Sequence, residues 1–458
     1  MWRCAAILGV CLHLAMFPSA AIARQVVEWS THEPTGVRSA WLANGARVHH
    51  KRVGEKDENV VVTIRLIGGA LEEDEHNRGI TQAAMAAWKL PRTFREDADQ
   101  FAERLEAADI TLEGGIIEAD MIGVALSCPT RALGEAIRAG AELVADPWID
   151  QPTLDAWKEE QRSLITARRT DADGMLRELV AQELFPGGDA RVRPLELEDV
   201  DRLDLDEVRA WLELLTSSSP IEIGIAGPVG AARAMELAGD ALGSLPARPR
   251  IARNTHAKLR TVAGERPRGP IVGERLCPSC RRSIGFIGFY ATDRRNTRDT
   301  EGLFTSILLL NERFRSLEWE VEPEPDVAFL LLAGRAFPGY GMLYARVDAA
   351  PEQLDRVIAR VEKEIDAFAT SGPTPSEIDG FHVGAREEIE KFLGSPGFWS
   401  SRLALNTSIG DGLHEIGSLL ENYTTISAED IRECFARYAV PTNRFRLLIR
   451  TRPEGTSR

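Results

Sequence analysis

At 458 residues, with 44% hydrophobic and 27% charged residues, the chain is long enough for two or more cores and shows neither a collagen-like nor a disordered bias. A net charge of −15 works against binding to phosphate backbones, which depends on Lys and Arg displacing counterions, so nucleic acid is excluded as a natural partner.

The N-terminus differs from the rest. Arg3 precedes an apolar stretch, 4–17, and Pro18-Ser-Ala-Ala-Ile-Ala23 ends in the small-x-small pattern of a signal-peptidase site. A signal peptide over 1–23 is expected, with export to the periplasm or the outside. The apolar stretch is shorter than the ~20 residues that cross a bilayer, and no later segment is uniformly apolar at that length, so no membrane span is expected. Four cysteines then remain: Cys128, Cys277, Cys280 and Cys434.

Strand patterns follow at 39–52, broken by Asn44-Gly45, at 60–67 and at 116–128. Helical spacing of apolar residues covers 81–89, 99–107, 131–145, 152–170, 174–184 and 204–216, the last with Asp204 as N-cap. A strand at 221–226 and a helix at 231–242 close this part. Segment 245–270 is rich in Pro, Arg and Ala without a period and reads as a linker. The same order then begins again: strand 283–290, helix 300–317, strands 327–332 and 342–347, helices 351–370, 376–393, 398–408 and 428–438, strand 445–450. Asp206-Glu-Val-Arg209 and Glu429-Asp-Ile-Arg432 each precede a closing strand, 223 residues apart from Val208 to Ile431. The pattern predicts an α+β fold of two similar domains, 24–244 and 271–458, each a mainly antiparallel sheet packed with helices.

Cys277-Pro-Ser-Cys280 admits three readings. An exported chain favours a local disulfide. A thioredoxin-type redox pair would open a helix after a strand, and a zinc half-site lacks the second pair that would complete four ligands. His49 and His50 are adjacent, so on a strand their rings face opposite ways and cannot chelate one metal; surface or structural roles are the default. Asn406-Thr-Ser408 and Asn422-Tyr-Thr424 fit the glycosylation sequon, and Gly227-Pro-Val-Gly230 reads as a turn because it lacks the Lys and Ser/Thr of a phosphate loop. No nucleophile elbow, kinase signature or dinucleotide fingerprint is present.

Several pieces of the N-terminal half resemble the insulinase/pitrilysin-like zinc peptidases, peptidase family M16. They are Trp41-Leu-Ala-Asn-Gly-Ala-Arg-Val48, then Val61 to Leu66 followed by Gly68-Gly69 and Glu72-Glu73, then Asn77-Arg-Gly-Ile80 opening a helix. Active members carry H-x-x-E-H on that helix. His at i and i+4 share a face and bind zinc, and the Glu activates the metal-bound water. On this chain the motif falls on Gln82, Met85 and Ala86, which replace the first His, the Glu and the second His. The eight His stand at 13, 32, 49, 50, 76, 256, 382 and 414, and no two are four apart, so a shifted alignment does not restore it. Glu159 and Glu160 lie where the resemblance implies a third ligand, and carboxylates without imidazoles have little hold on zinc. In the second half the family's substrate-gripping Arg and Tyr fall near Glu318 and Phe329, with Tyr340 or Tyr344 as substitutes.

The resemblance implies that four such domains close a chamber, of which this chain supplies two. It implies a non-catalytic, zinc-free homologue that binds extended peptides or assembles as a homodimer or with an active paralogous peptidase. The alternatives are a zinc metalloendopeptidase with a rebuilt site and an exported protein without peptide affinity.

Overall fold

The computed structural model describes residues 26–452 apart from 55–58, 90–92, 94–95, 186, 254, 294–295, 320–321, 335 and 411. The expected signal segment 1–23 lies outside them.

The first part opens with β1 (Val26–His32), β2 (Val37–Leu42), β3 (Arg47–Arg52) and β4 (Val60–Ile67). Helices α1 (Ile80–Met85) and α2 (Ala98–Ala107) precede the hairpin β5 (Thr111–Glu118) and β6 (Met121–Cys128). Then come α3 (Leu133–Ala145), α4 (Gln151–Arg168), α5 (Ala172–Leu184), α6 (Leu197–Arg202), α7 (Leu205–Ser218), β7 (Ile221–Gly227) and α8 (Ala231–Leu242). The strands form a seven-stranded sheet, β1-β2-β3-β7-β4-β6-β5, in which β3 and β7 are parallel and the other neighbours antiparallel.

The second part runs β8 (Ile271–Leu276), β9 (Ser283–Tyr290), α9 (Thr297–Arg315), β10 (Asp326–Leu332), β11 (Met342–Ala349), α10 (Leu354–Ser371), α11 (Pro375–Gly394), α12 (Pro396–Leu403), α13 (Asn406–Ile409), α14 (Gly412–Thr425), α15 (Ala428–Tyr438) and β12 (Arg444–Arg450). Its five strands stand in the order β10-β11-β9-β12-β8, with β12 and β8 parallel. Read from β8, this repeats β3-β7-β4-β6-β5 strand for strand, so the α+β fold of two similar, antiparallel-rich sheets is present and its duplication reaches the topology.

Strand alternation sends the two faces of each sheet to different partners. In the first sheet Ile221, Ile223 and Ile225 of β7 join Val62, Ile64 and Leu66 of β4 in a core under α1, α3, α7 and α8. In the second, Ile287, Phe289, Leu343, Ala345 and Val347 pack under α9, α10 and α15. The opposite faces are covered by exchange. Helix α5 of the first half lies on the second sheet, where Leu176, Leu179 and Leu184 meet Phe286, Tyr290, Phe445 and Leu447. Helix α12 of the second half lies on the first sheet, with Trp399 and Leu403 against Val37 and Ala226. Gly224 makes this seat possible, since a Cβ there would meet the Ser400 carbonyl oxygen at 2.0 Å.

Four differences from the sequence reading have physical reasons. Segment 116–128 is a hairpin, not one strand: it turns at Ala119-Asp120, without the Gly or Pro that marks most turns, and Asp120 is buried 2.8 Å from the Arg260 guanidinium. β1, β8 and α14 were not foreseen, because two are edge strands with mixed polarity and the third packs on α11 with a half-polar surface. Segment 398–408 is divided into α12 and α13. Segment 245–270, though largely exposed, is anchored to the fold at several points. Arg248 donates to the carbonyls of Thr216 and Ser219, Arg250 pairs with Glu28 at 2.6 Å, and Arg266 donates to the Gly339 carbonyl at 2.7 Å.

Candidate functional site

The site implied by the sequence is built on α1, whose start is held by a buried carboxylate. Glu73 accepts from Arg78 Nη1 at 2.6 Å, from the Gly79 amide at 2.9 Å and from the Thr81 amide at 3.0 Å, placing negative charge where the first amides of the helix have no partner. Gly79 has φ +91°, a left-handed conformation that a Cβ would strain. Thr81 Oγ1 accepts from the Trp211 indole at 3.1 Å and pins α1 to α7.

On this well-held helix the motif positions carry no metal chemistry. Met85 and Ala86 are buried among Ile80, Ala83 and Trp88 and belong to the core; Gln82 is half-buried and is the one polar group of the three. The thioether and methyl stand where an acid and an imidazole would be needed. Glu160, the expected remnant ligand, is on α4 and pairs with the Lys89 ammonium at 2.6 Å, just past the end of the motif. A lysine cation therefore satisfies the carboxylate. Glu159 is exposed and lies 3.7 Å from Arg162 one turn on. Among the described residues no group of three or more His, Cys, Asp or Glu could hold a metal ion. The donor set does not fit zinc.

Beside α1, a cleft of about 790 Å³ is lined by Trp88, Lys89, Phe101, Leu105, Ile110 and Leu112 and runs along the edge strand β5. Buried apolar side chains form its floor, and the exposed Lys89, Glu106, Asp109 and Thr111 form its rim, next to the edge strand β5, whose outer backbone groups could pair with an extended chain.

In the second half neither gripping device is kept. Glu318 is exposed beyond the end of α9, and Phe329 is buried with its ring 5.2 Å from that of Phe314. Tyr340 stacks on Phe185 at 4.9 Å, in the loop before β11 and not on a strand; Tyr344 lies 4.2 Å from Phe286. Burial raises both phenols above their ordinary range, which removes them further from acid–base work.

Cys277 and Cys280 are joined as a disulfide that closes the turn after β8. The free thiols Cys128 and Cys434 are buried, and burial pushes each up to about 12, far from a reactive thiolate. Both sequon asparagines are packed: Asn422 donates to Glu301 at 3.0 Å, and the side-chain oxygen of Asn406 is out of contact with solvent.

His49 and His50 face opposite sides of the sheet, and both are buried. His49 Nδ1 is 2.7 Å from Ser39 Oγ and its Nε2 is 2.9 Å from Glu222 Oε1, which also accepts from the Thr407 amide at 2.6 Å. This Ser39–His49–Glu222 network has no opening to a substrate; it ties β2, β3 and β7 to α13. The sequence reading missed it, although a glutamate inside the apolar strand Ile221-Glu-Ile-Gly-Ile is the signal that it exists.

No protein-family profile and no curated protein sequence matches the chain. Solved structures do. The peptidase M16 inactive domain from Pseudomonas fluorescens superposes with a TM-score of 0.75 at 14% identity, covering 91% of this chain and 98% of that one. The fold is that of the M16 peptidases. A protease from Helicobacter pylori gives 0.75 at 13% identity, covering 90% of this chain and 99% of that one. The periplasmic protease PqqL from Escherichia coli gives 0.77 at 13% identity over 98% of this chain and 49% of its own length, so the chain spans about half of that protein. This chain thus has an M16-like fold, with Gln82, Met85 and Ala86 at the positions where the sequence resemblance places the zinc motif. No helix among the described residues is long and apolar enough to cross a membrane.

Proposed function

We propose that this chain is an exported, non-catalytic M16-like protein that binds extended peptides along β5 and completes a chamber by pairing, either with a second copy or with a paralogous peptidase that bears zinc. One observation carries the reading: α1 is fully braced by Glu73, Gly79 and Trp211, yet its motif positions are Gln82, a buried Met85 and a buried Ala86. The frame is kept and the chemistry is gone. The cleft beside an edge strand supports peptide binding. The small-x-small pattern at Ala21–Ala23 supports export, and so does the likeness to a periplasmic protease.

The test is metal analysis of the purified full chain, grown with zinc and assayed for peptide hydrolysis with and without a chelator. The expected result is far less than one zinc per chain and no chelator-sensitive cleavage, while an extended peptide still binds. Stoichiometric zinc together with cleavage lost in Glu160→Ala would instead establish a rebuilt metallopeptidase.

A further inference from the structure

Among the described residues the edge strands are β1 and β5 in the first sheet and β10 and β8 in the second. An edge strand offers unpaired backbone groups to any other strand, and proteins guard such edges with charges, bulges or proline. Three of these four carry a bulge or a charge pair as well. β1 carries Glu28 and a register shift after Val26. β5 carries Glu118 and a register shift between Leu112 and Gly115. β8 carries Glu274 and Arg275. β10 is guarded least: its one charge, Asp326, stands at its first position, the six residues Val327-Ala-Phe-Leu-Leu-Leu332 are uncharged, and its register with β11 is continuous. On its face away from α9, Leu330 and Leu332 are 39% and 50% exposed.

A side chain closes this edge instead. Asn311 on α9 takes both backbone groups of Phe329: the Phe329 amide donates to Oδ1 at 2.7 Å, and Nδ2 donates to the Phe329 carbonyl at 3.0 Å. A carboxamide has the donor and acceptor of a peptide group. It therefore stands on the edge as a residue of a neighbouring strand would.

We propose that β10 is a latent self-pairing edge, to which a second copy of this chain adds antiparallel through its own β10, and that Asn311 holds it shut. The occupant is a second copy for two reasons. An antiparallel pair of identical edges about a twofold axis is self-complementary. And on a chain of net charge −15 this uncharged strip lets copies approach without like-charge contact at the seam. The inference is independent of peptide binding at β5.

The experiment is sedimentation of the full chain over a concentration series, comparing wild type with Asn311→Ala and with Asn311→Gln, whose longer side chain keeps the amide and loses the two-point fit. Circular dichroism confirms that each variant is folded. Both variants are expected to reach twice the wild-type mass as concentration rises, with Val327 to Leu332 gaining protection from amide exchange. Adding Leu330→Lys and Leu332→Lys to either is expected to restore the wild-type mass. The proposal is overturned if a folded variant keeps the wild-type mass, if its association survives the two lysines, or if it gains affinity for an extended peptide without self-association.

Discussion

The adjacent histidines of β3 show how far a single residue can be read. Strand alternation fixed that the two rings point apart; what each meets is set by the far side of the sheet, which the sequence does not display. His49 meets Glu222 from a strand more than 170 positions away. His50 enters the core, where burial, and then the nearby positive charges of Arg38, Lys51 and Arg52, push it down to about 4 despite a hydrogen bond at Val229. An unfolded chain takes up this proton near pH 6.5, before the folded one does, so stability falls on acidification through the window between about 6.5 and 4. At about 1.4 kcal/mol per unit, His50 alone removes roughly 2 kcal/mol between pH 7 and pH 5. Urea titrations at those two pH values should show this loss in wild type and a loss smaller by that amount in His50→Gln. Equal losses in the two proteins would mean that His50 is not neutral in the fold. The degenerate motif was more legible, since Gln82, Met85 and Ala86 are decided by identity alone. The pairing of Glu160 with Lys89 was not, because it depends on where α4 passes α1.

At the scale of elements, sequence pattern served best where a helix or strand carries its own stop signals. The helices at 231–242 and 428–438 and the strand at 283–290 coincide with α8, α15 and β9. It failed where tertiary contacts decide, as in β8, which is a strand because β12 pairs with it in parallel. The repeated closing unit extends to its capping residues. Asp204 accepts from the Glu207 amide at 2.8 Å at the start of α7, and Ser427 accepts from the Asp430 amide at 3.0 Å at the start of α15. Both are exposed, so their value is the cap itself, about 1 kcal/mol each. Asp204→Ala and Ser427→Ala should each lower stability by that amount in urea unfolding. The caps belong to different halves, so the double variant should lose their sum. A cap that could be removed without loss would show that its helix start is held by packing instead.

The whole molecule is organised by the exchange of α5 and α12, which the two-domain pattern in the sequence did not reveal. Linear order suggests two halves joined by a linker; in the fold each half also lends a helix to the other's sheet. Without α12 to α14, the first sheet would open Val37, Ala226 and the His49–Glu222 pair to water, and Glu222 would lose the Thr407 amide that donates to it. Without α5, the second sheet would expose Phe286, Tyr290 and Phe445, and the Tyr290 hydroxyl would lose the Leu184 carbonyl that it donates to at 2.9 Å. Burial of such side chains is worth roughly 2 kcal/mol each, so either half alone forfeits more than most domains have to spare. The segment once read as a linker divides between them: Arg248, Arg250 and Arg260 bind the first half and Arg266 binds the second. A cut at Ala263-Gly264 therefore respects both sets of contacts. Fragments 26–263 and 264–452, made separately, should lack a cooperative unfolding transition; made together, they should co-purify as one particle and unfold in a single step. Two fragments that each unfold cooperatively alone, with stabilities close to that of the intact chain, would show that the exchanged helices decorate the sheets without holding them.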